Sequence, residues 1–134
     1  MTKVILISAG DPDSISTEIT IKAIQHSKMN KNVKPVVVSN SKIIEDCKKS
    51  IGSKIQLNEI KDKVNFSDFK ENFLNILSIK LPDNNVFENQ NTKYASFIKD
   101  SIITCVKTEM NSVASAIVTN PICKNMMYLS LIHI

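Results

Sequence analysis

Apolar runs separated by polar turns divide the first sixty residues into alternating strands and helices. The runs "KVILIS", Lys3 to Ser8, and "KPVVVSN", Lys34 to Asn40, are nearly continuous and rich in β-branched residues, which is typical of strands buried on both faces. A third strand, "KIQLNEI" from Lys54 to Ile60, alternates between apolar and polar positions. Because helical spacing lies between these strands, the order β-α-β-α-β predicts a parallel sheet with right-handed crossovers.

Both helices of this segment are predicted from apolar spacing and from residues that can cap their ends. Asp13 or Ser14 offers a side-chain oxygen to the first helix, and Ser41 offers one to the second. Gly52 follows the second helix where a left-handed glycine often ends one. The apolar positions are Ile15, Ile19, Ala23 and Ile24, with Ile21 in addition, in the first helix and Ile43, Ile44, Cys47 and Ile51 in the second.

The second half of the chain contains one strong helical pattern between two predicted strands. A strand is expected around Asn75 to Leu81, before the turn "PDNN", and a buried strand is expected from Ala114 to Pro121. The helix between them keeps an i, i+3, i+4, i+7 spacing for three turns, at Tyr94, Phe97, Ile98, Ser101, Ile102, Cys105 and Val106. The whole pattern predicts an α/β fold.

Composition and charge exclude several classes of protein. The length of 134 residues suits one domain or an incomplete one, and no apolar run approaches the roughly 18 residues of a membrane span. The N-terminal apolar run is too short for a signal peptide, so we expect a cytoplasmic protein. All 17 basic residues are lysines spread along the chain, and aromatic residues make up only 5%, which argues against a nucleic-acid partner.

Cysteine and histidine are scarce in this sequence. The three cysteines, Cys47, Cys105 and Cys123, form no CxxC pair, so we predict buried thiols and neither a disulfide framework nor a zinc site. The two histidines are His26 and His133. His26 stands in "QHSK", where it fits a solvated helix C-terminus and its dipole.

Two segments, in this order and spacing, resemble the 4-hydroxythreonine-4-phosphate dehydrogenase family. The segment "ISAGDPDSISTEITIKAI" is similar to the family's opening strand and its turn G-[DE]-P-A-G-I-G-P-E. The segment "ASAIVTNPICKNMM" is similar to the family pattern A-x-[IV]-T-[AG]-P-[IV]-x-K, and it also follows a long helix. The candidate site residues that match the two motifs are Gly10, Asp11, Pro12 and Glu18, with Ile15, and Thr119, Pro121 and Lys124.

This resemblance implies a fold and an activity. The fold is α/β, with a mostly parallel sheet and flanking helices, as in the isocitrate and isopropylmalate dehydrogenases. The activity is the NAD-dependent oxidation of 4-phosphohydroxy-L-threonine in pyridoxal 5'-phosphate (vitamin B6) biosynthesis, after which the keto acid decarboxylates. The resemblance also implies a divalent metal (zinc, magnesium or cobalt) and a homodimer. The implied partner is a small phosphorylated hydroxy amino acid, with neither nucleic acid nor membrane.

The chain departs from the family within the first turn. Asp13-Ser14 replaces Ala-Gly, and Ser16-Thr17 replaces Gly-Pro. Glycine allows a backbone to approach a ligand closely, whereas serine and aspartate bond to nearby backbone groups. We therefore interpret the turn as mainly structural, with a ligand-facing role as the alternative. Lys124, near a predicted helix start, is either a point charge for a phosphate or carboxylate or a solvated lysine.

The histidines that the family chemistry implies are missing. The resemblance implies three metal-binding histidines and another in a G-H-T-E segment, whereas this chain has two in all. We therefore assign no catalytic residue and no metal ligand in this chain, and we expect it to be inactive alone. We interpret residues 1–128 as the truncated N-terminal part of a dehydrogenase, incomplete as a fold.

The closing "LSLIHI", residues 129–134, has a separate interpretation. It is the translation of CTG TCT CTT ATA CAC ATC, a transposon-end sequencing adapter, so we expect a non-native tail. A native apolar strand is the alternative for this stretch. Two functional alternatives also remain: a related dehydrogenase for another phosphorylated hydroxy acid, and a freestanding α/β binding module, which would show cooperative monomeric unfolding.

Overall fold

The computed structural model describes residues 3–27, 30–60, 67–81, 94–110 and 114–122. The strands are β1 (Lys3–Ser8), β2 (Val33–Ser39), β3 (Gln56–Ile60), β4 (Phe73–Ser78) and β5 (Ala116–Val118). The helices are α1 (Ser16–His26), α2 (Ser41–Ile51) and α3 (Ala95–Met110). Each predicted element in these ranges is present, and the differences lie in their ends: β4 begins two residues before the predicted strand, and β5 has only three residues.

All five strands run parallel in one sheet, in the order β3-β4-β2-β1-β5. The predicted α/β fold with a mostly parallel sheet is therefore confirmed. From β1 the chain first builds the sheet on one side and then returns to add β5 on the other side. Ser8 lies beside Val38 of β2, and Ile7 lies beside Val118 of β5. The first and the last described strands are thus neighbours.

Apolar side chains cover both faces of the sheet, as continuous apolar strands require. On one face, Leu6, Val36 and Val38 pack with Cys105 of α3. On the other face, Val37 packs with Ile21 of α1 and Ile44 of α2. The sheet is therefore a middle layer between α3 and the pair α1 and α2. None of the described helices combines the length and apolarity needed to cross a membrane.

The buried face of α1 differs from the predicted one. Ile15 and Ile19 are exposed, with 64% and 43% of their surface accessible, while Ile21 is fully buried. Ser16, Thr17 and Thr20 are buried in their place. The prediction from apolar periodicity was wrong here because this helix turns hydroxyl groups inward, and those of Ser16 and Thr20 donate to backbone carbonyl oxygens.

The helix caps also correct the sequence-based assignment in part. Asn40, not Ser41, is the N-cap of α2, since its Oδ1 accepts the Lys42 N–H at 2.9 Å. Ser41 is the first helical residue, and its hydroxyl lies 3.3 Å from a Glu59 carboxylate oxygen. The prediction for Gly52 is confirmed, because it ends α2 in the left-handed conformation, with φ of 71°.

Apolar surface remains exposed on one side of the described fold. The strand β5 lies at an edge of the sheet, and Val118 is half exposed. The helix α3 carries Ile103, Val106 and Met110 on its outer side, although Val106 was predicted to belong to the inner face. The buried face of α3 instead consists of Ala95, Phe97, Ile98, Ser101, Cys105 and Thr108.

Candidate functional site at the end of β1 and β5

The carboxyl ends of β1 and β5 meet at the point where the chain changes sides of the sheet. In open α/β sheets such a switch point opens a crevice in which ligands bind. Here β1 runs into the turn at Gly10, and β5 runs into Thr119 and Pro121. The sheet therefore brings the two sequence motifs together, although about a hundred residues of sequence separate them.

Asn120 joins three elements at this point. Its side-chain amide donates to the Ser8 carbonyl oxygen and to Thr20 Oγ1, both at 2.7 Å. Its backbone N–H donates to Ser8 Oγ at 3.1 Å. The Thr20 hydroxyl in turn donates to the Ser16 carbonyl oxygen at 2.9 Å. One side chain thus links the ends of β1 and β5 with the first turns of α1.

A second link runs through Ser16. Its hydroxyl donates to the Pro121 carbonyl oxygen at 3.0 Å and lies 2.9 Å from Ser14 Oγ. Gly10 is buried next to this link and has a φ of 66°. A Cβ at position 10 would lie 2.7 Å from Ser16 Oγ and 2.8 Å from Asn120 Cβ. Glycine is therefore required here both by its backbone conformation and by the lack of space.

The turn that leads into α1 bonds mainly to itself. The Asp13 N–H donates to Asp11 Oδ1 at 2.9 Å, and the Ser14 N–H donates to the Asp11 carbonyl oxygen at 3.0 Å. The Ser16 N–H donates to Ser14 Oγ at 3.2 Å. Of the two predicted caps, Ser14 therefore bonds to the helix start, whereas the Asp13 carboxylate has no such bond, and Ile15 is the N-cap residue.

Ser101 of α3 supports the turn from the other face of the sheet. Its hydroxyl donates to the Val38 carbonyl oxygen at 2.6 Å and accepts the Ala9 N–H at 2.9 Å. Ser101 is fully buried, so neither backbone group has access to water as a replacement partner. Within the described ranges, every buried polar side-chain atom has a hydrogen-bond partner.

The structure brings most of the predicted site residues to this end of the sheet. Gly10 is buried, while Asp11 and Pro12 are partly exposed. Glu18 forms an exposed ion pair with Lys22, with 2.7 Å between Oε1 and Nζ. Thr119 and Pro121 are exposed, and the Pro121 carbonyl oxygen accepts a hydrogen bond from the Ser16 hydroxyl. Lys124 lies outside the described residues, as do Cys123, His133 and the tail 129–134.

Sequence reasoning missed the residues that hold this site together. Ser8, Ser16, Thr20, Ser101 and Asn120 carry its hydrogen bonds, and none of them was a candidate. A usable signal was the spacing of Ser16, Thr17 and Thr20, which puts three hydroxyls on one side of α1. Ser101 also interrupted an otherwise apolar helical face, which marks a buried polar group in need of partners.

The described residues do not fit a metal ion, and three N–H groups of the first turn are not free to bind a phosphate. In the described ranges, no three His, Cys, Asp or Glu side chains lie together as metal ligands do. A phosphate cradle needs free backbone N–H groups and close access by the ligand. In this turn the N–H groups of Asp13, Ser14 and Ser16 already have acceptors.

The pKa values of two described thiols are raised, which lowers their reactivity. Burial raises the pKa of the Cys105 thiol to about 11. Burial, followed by the negative charge of Glu18, raises the pKa of the Cys47 thiol. Since the thiolate is the nucleophile, both are poor candidates for covalent catalysis, as the sequence predicted for buried thiols.

The buried Cys105 thiol should make the protein less stable at high pH. Its folded pKa lies above the ordinary value of 9.0, so its contribution is complete below that pH and is lost as pH rises towards about 11. The expected loss across this window is roughly 2 kcal/mol. Urea unfolding along a pH series measures it. Cys105→Ala serves as the control, because it removes this thiol alone, and an equal loss in the variant would contradict the assignment.

Comparison with known proteins supports the fold. No protein-family model matches the sequence, and no curated protein matches it. Among solved structures, a 4-hydroxythreonine-4-phosphate dehydrogenase from Burkholderia phymatum matches 97% of this chain, with a TM-score of 0.81 and 18% identity. The enzyme of the same name from Klebsiella pneumoniae matches 96% of the chain, with a TM-score of 0.79 and 20% identity. The chain spans about 40% of the length of these structures.

Proposed function

We propose that this chain is the N-terminal part of a dehydrogenase related to 4-hydroxythreonine-4-phosphate dehydrogenase. The observation that carries the proposal is the combination of fold and motifs. Two separate segments resemble that family in sequence, and the fold of the chain is similar to solved enzymes of that name. The family-like segments also meet at the switch point of the sheet, where α/β enzymes bind their ligands.

The proposed reaction is the NAD-dependent oxidation of 4-phosphohydroxy-L-threonine, with a divalent metal, in vitamin B6 biosynthesis. In this proposal the described residues supply scaffold, and the reactive groups belong to sequence beyond them. A homodimer, a cytoplasmic location and the boundary between residues 1–128 and 129–134 remain parts of the same proposal. Gly10, Asp11, Pro12, Glu18, Thr119, Pro121 and Lys124 are proposed as cleft or structural positions.

The 134-residue chain alone is expected to produce no NADH from 4-phosphohydroxy-L-threonine, NAD and a divalent metal ion. The reason is that the chain has only two histidines where the family chemistry implies at least four. The assay is NADH absorbance with purified chain, after circular dichroism has shown it to be folded. Metal-dependent turnover by the chain would refute the proposed division of labour.

The same NADH assay is then applied to the product of the complete reading frame that contains this chain. Metal-dependent NADH formation with 4-phosphohydroxy-L-threonine is expected from that protein. Turnover only with other phosphorylated hydroxy acids would replace the substrate and keep the enzyme class. A folded full-length product without activity on any of them would contradict the proposed dehydrogenase.

A further inference from the structure

We propose that Ser16 and Asn120 are specificity-determining residues that close the first turn to phosphate-bearing ligands. Their side chains form a polar clasp, defined here as Ser8, Ser16, Thr20 and Asn120, which fills the crevice at the carboxyl ends of β1 and β5. This inference concerns the turn alone. It holds or fails independently of the dehydrogenase activity proposed above.

Space is the first argument for the clasp. The three atoms nearest to a Cβ built on Gly10 are Ser16 Oγ, Asn120 Cβ and Ser16 Cβ, at 2.7, 2.8 and 2.8 Å. All three belong to side chains and none to backbone. The crevice above Gly10 is therefore occupied by residues 16 and 120 themselves. A phosphate oxygen, which is larger than a hydrogen atom on Gly10, would have to displace them.

Hydrogen bonding is the second argument. Both protons of the Asn120 amide have acceptors within the clasp, and the Thr20 and Ser16 hydroxyls each have a backbone carbonyl as acceptor. These four protons of the clasp are therefore already paired, and none of the four is free to bond to an anion. The Asp11 and Asp13 carboxylates flank the turn and would repel a phosphate.

The third argument is that the clasp distinguishes this chain from the motifs it resembles. Those motifs have glycine at the position of Ser16, and alanine or glycine at the position of Asn120. Glycine and alanine have no polar side-chain atoms, so they cannot make the side-chain hydrogen bonds that Ser16 and Asn120 make. The two departures are in contact across the crevice through Gly10, so together they replace an open backbone turn with a filled one.

Titration with inorganic pyrophosphate tests the closed turn directly. The full 134-residue chain, labelled with ¹⁵N, is followed by the amide signals of Gly10, Asp13, Ser14 and Ser16. The expected result is no saturable shift of these four signals. A saturable shift confined to them would overturn the proposal, since it would show that the turn still accepts a phosphate.

A variant cycle tests whether residues 16 and 120 fill the space. In the natural background Gly10→Ala is expected to lower Tm by roughly 10 °C, which combines steric overlap with positive φ. In a Ser16→Gly/Asn120→Gly background the same change should lower Tm by only roughly 4 °C, because only the φ strain remains. Equal drops in both backgrounds would overturn the proposal.

The matched control for this cycle is Gly52→Ala. Gly52 has a similar φ of 71° but nothing lies within 4 Å of its added Cβ, so its cost should be the same in both backgrounds. If the double glycine variant does not fold, Ser16→Gly alone serves as the background, since it removes two of the three close atoms. The drop caused by Gly10→Ala must then still shrink, and an unchanged drop would contradict the clasp.

Discussion

Gly10→Ala is expected to destabilise the protein by about 3 to 4 kcal/mol, although it adds only one methyl group. About 1 kcal/mol of this comes from the positive φ, which alanine adopts at a cost. The remainder comes from a Cβ that would lie within 2.8 Å of side-chain atoms of Ser16 and Asn120, on two different segments of the chain. Those atoms cannot simply rotate away, because Ser16 and Asn120 are held by hydrogen bonds.

Gly52→Ala separates the two contributions to this loss. It places a methyl group at φ of 71° in open space, so it should cost only about 1 kcal/mol. Urea unfolding of the natural chain and of both variants gives the comparison. Equal destabilisation by the two substitutions would mean that the crevice around Gly10 is open, contrary to the geometry described here.

Ser101→Ala is expected to cost about 3 kcal/mol, because it leaves two buried backbone groups without partners. The Ala9 N–H and the Val38 carbonyl oxygen both bond to this hydroxyl, at 2.9 and 2.6 Å. Ala9 immediately precedes the turn at Gly10, so the loss also loosens the site. In native-state hydrogen exchange, the Ala9 amide should lose more protection than amides in β3.

Ser96→Ala is the matched control for this substitution. Ser96 lies on the same helix but is exposed, so alanine there should be neutral or slightly stabilising through its helix propensity. The two variants have the same chemistry and differ in burial and partners. A cost below about 1 kcal/mol for Ser101→Ala would show that water or a shifted backbone replaces the lost bonds.

Most of the fold could be predicted from the apolar pattern. The strands β1 and β2 pack on both faces of the sheet, and their nearly continuous apolar sequences indicate this directly. The order of the strands could not be predicted in the same way, because nothing in "AIV" of β5 specifies β1 as its neighbour. That pairing depends on α3 crossing the sheet, which is a property of the packed chain.

The face of α1 shows where apolar periodicity fails. The pattern favoured Ile15 and Ile19 as inward residues, yet Ser16 and Thr20 are buried instead. Burying a hydroxyl group is unfavourable unless it has a hydrogen-bond acceptor. Here the acceptors are the Pro121 carbonyl oxygen for Ser16 and the Ser16 carbonyl oxygen for Thr20. The Pro121 carbonyl oxygen lies 105 residues from Ser16 in sequence, so this partner cannot be recognised before the fold brings the two together.

In the candidate site, the position of Gly10 could be predicted from the sequence, whereas the role of Asn120 could not. Gly10 belongs to a recognisable motif, whereas Asn120 stands at a position where that motif has a residue without polar atoms. Its role became evident only from the bonds to Ser8 and Thr20. A departure from a motif was therefore as informative as a match, since it marked the residues that reshape the turn.

The central proposal is that this chain is the first part of a dehydrogenase whose reactive groups lie further along the sequence. Sequencing the source DNA downstream of the codon for Met127 tests it most directly. The account predicts that the reading frame continues into a segment like G-H-T-E and later supplies further histidines. A stop codon immediately after the codon for Ile134 would contradict it and leave a binding module or a decayed gene as the explanation.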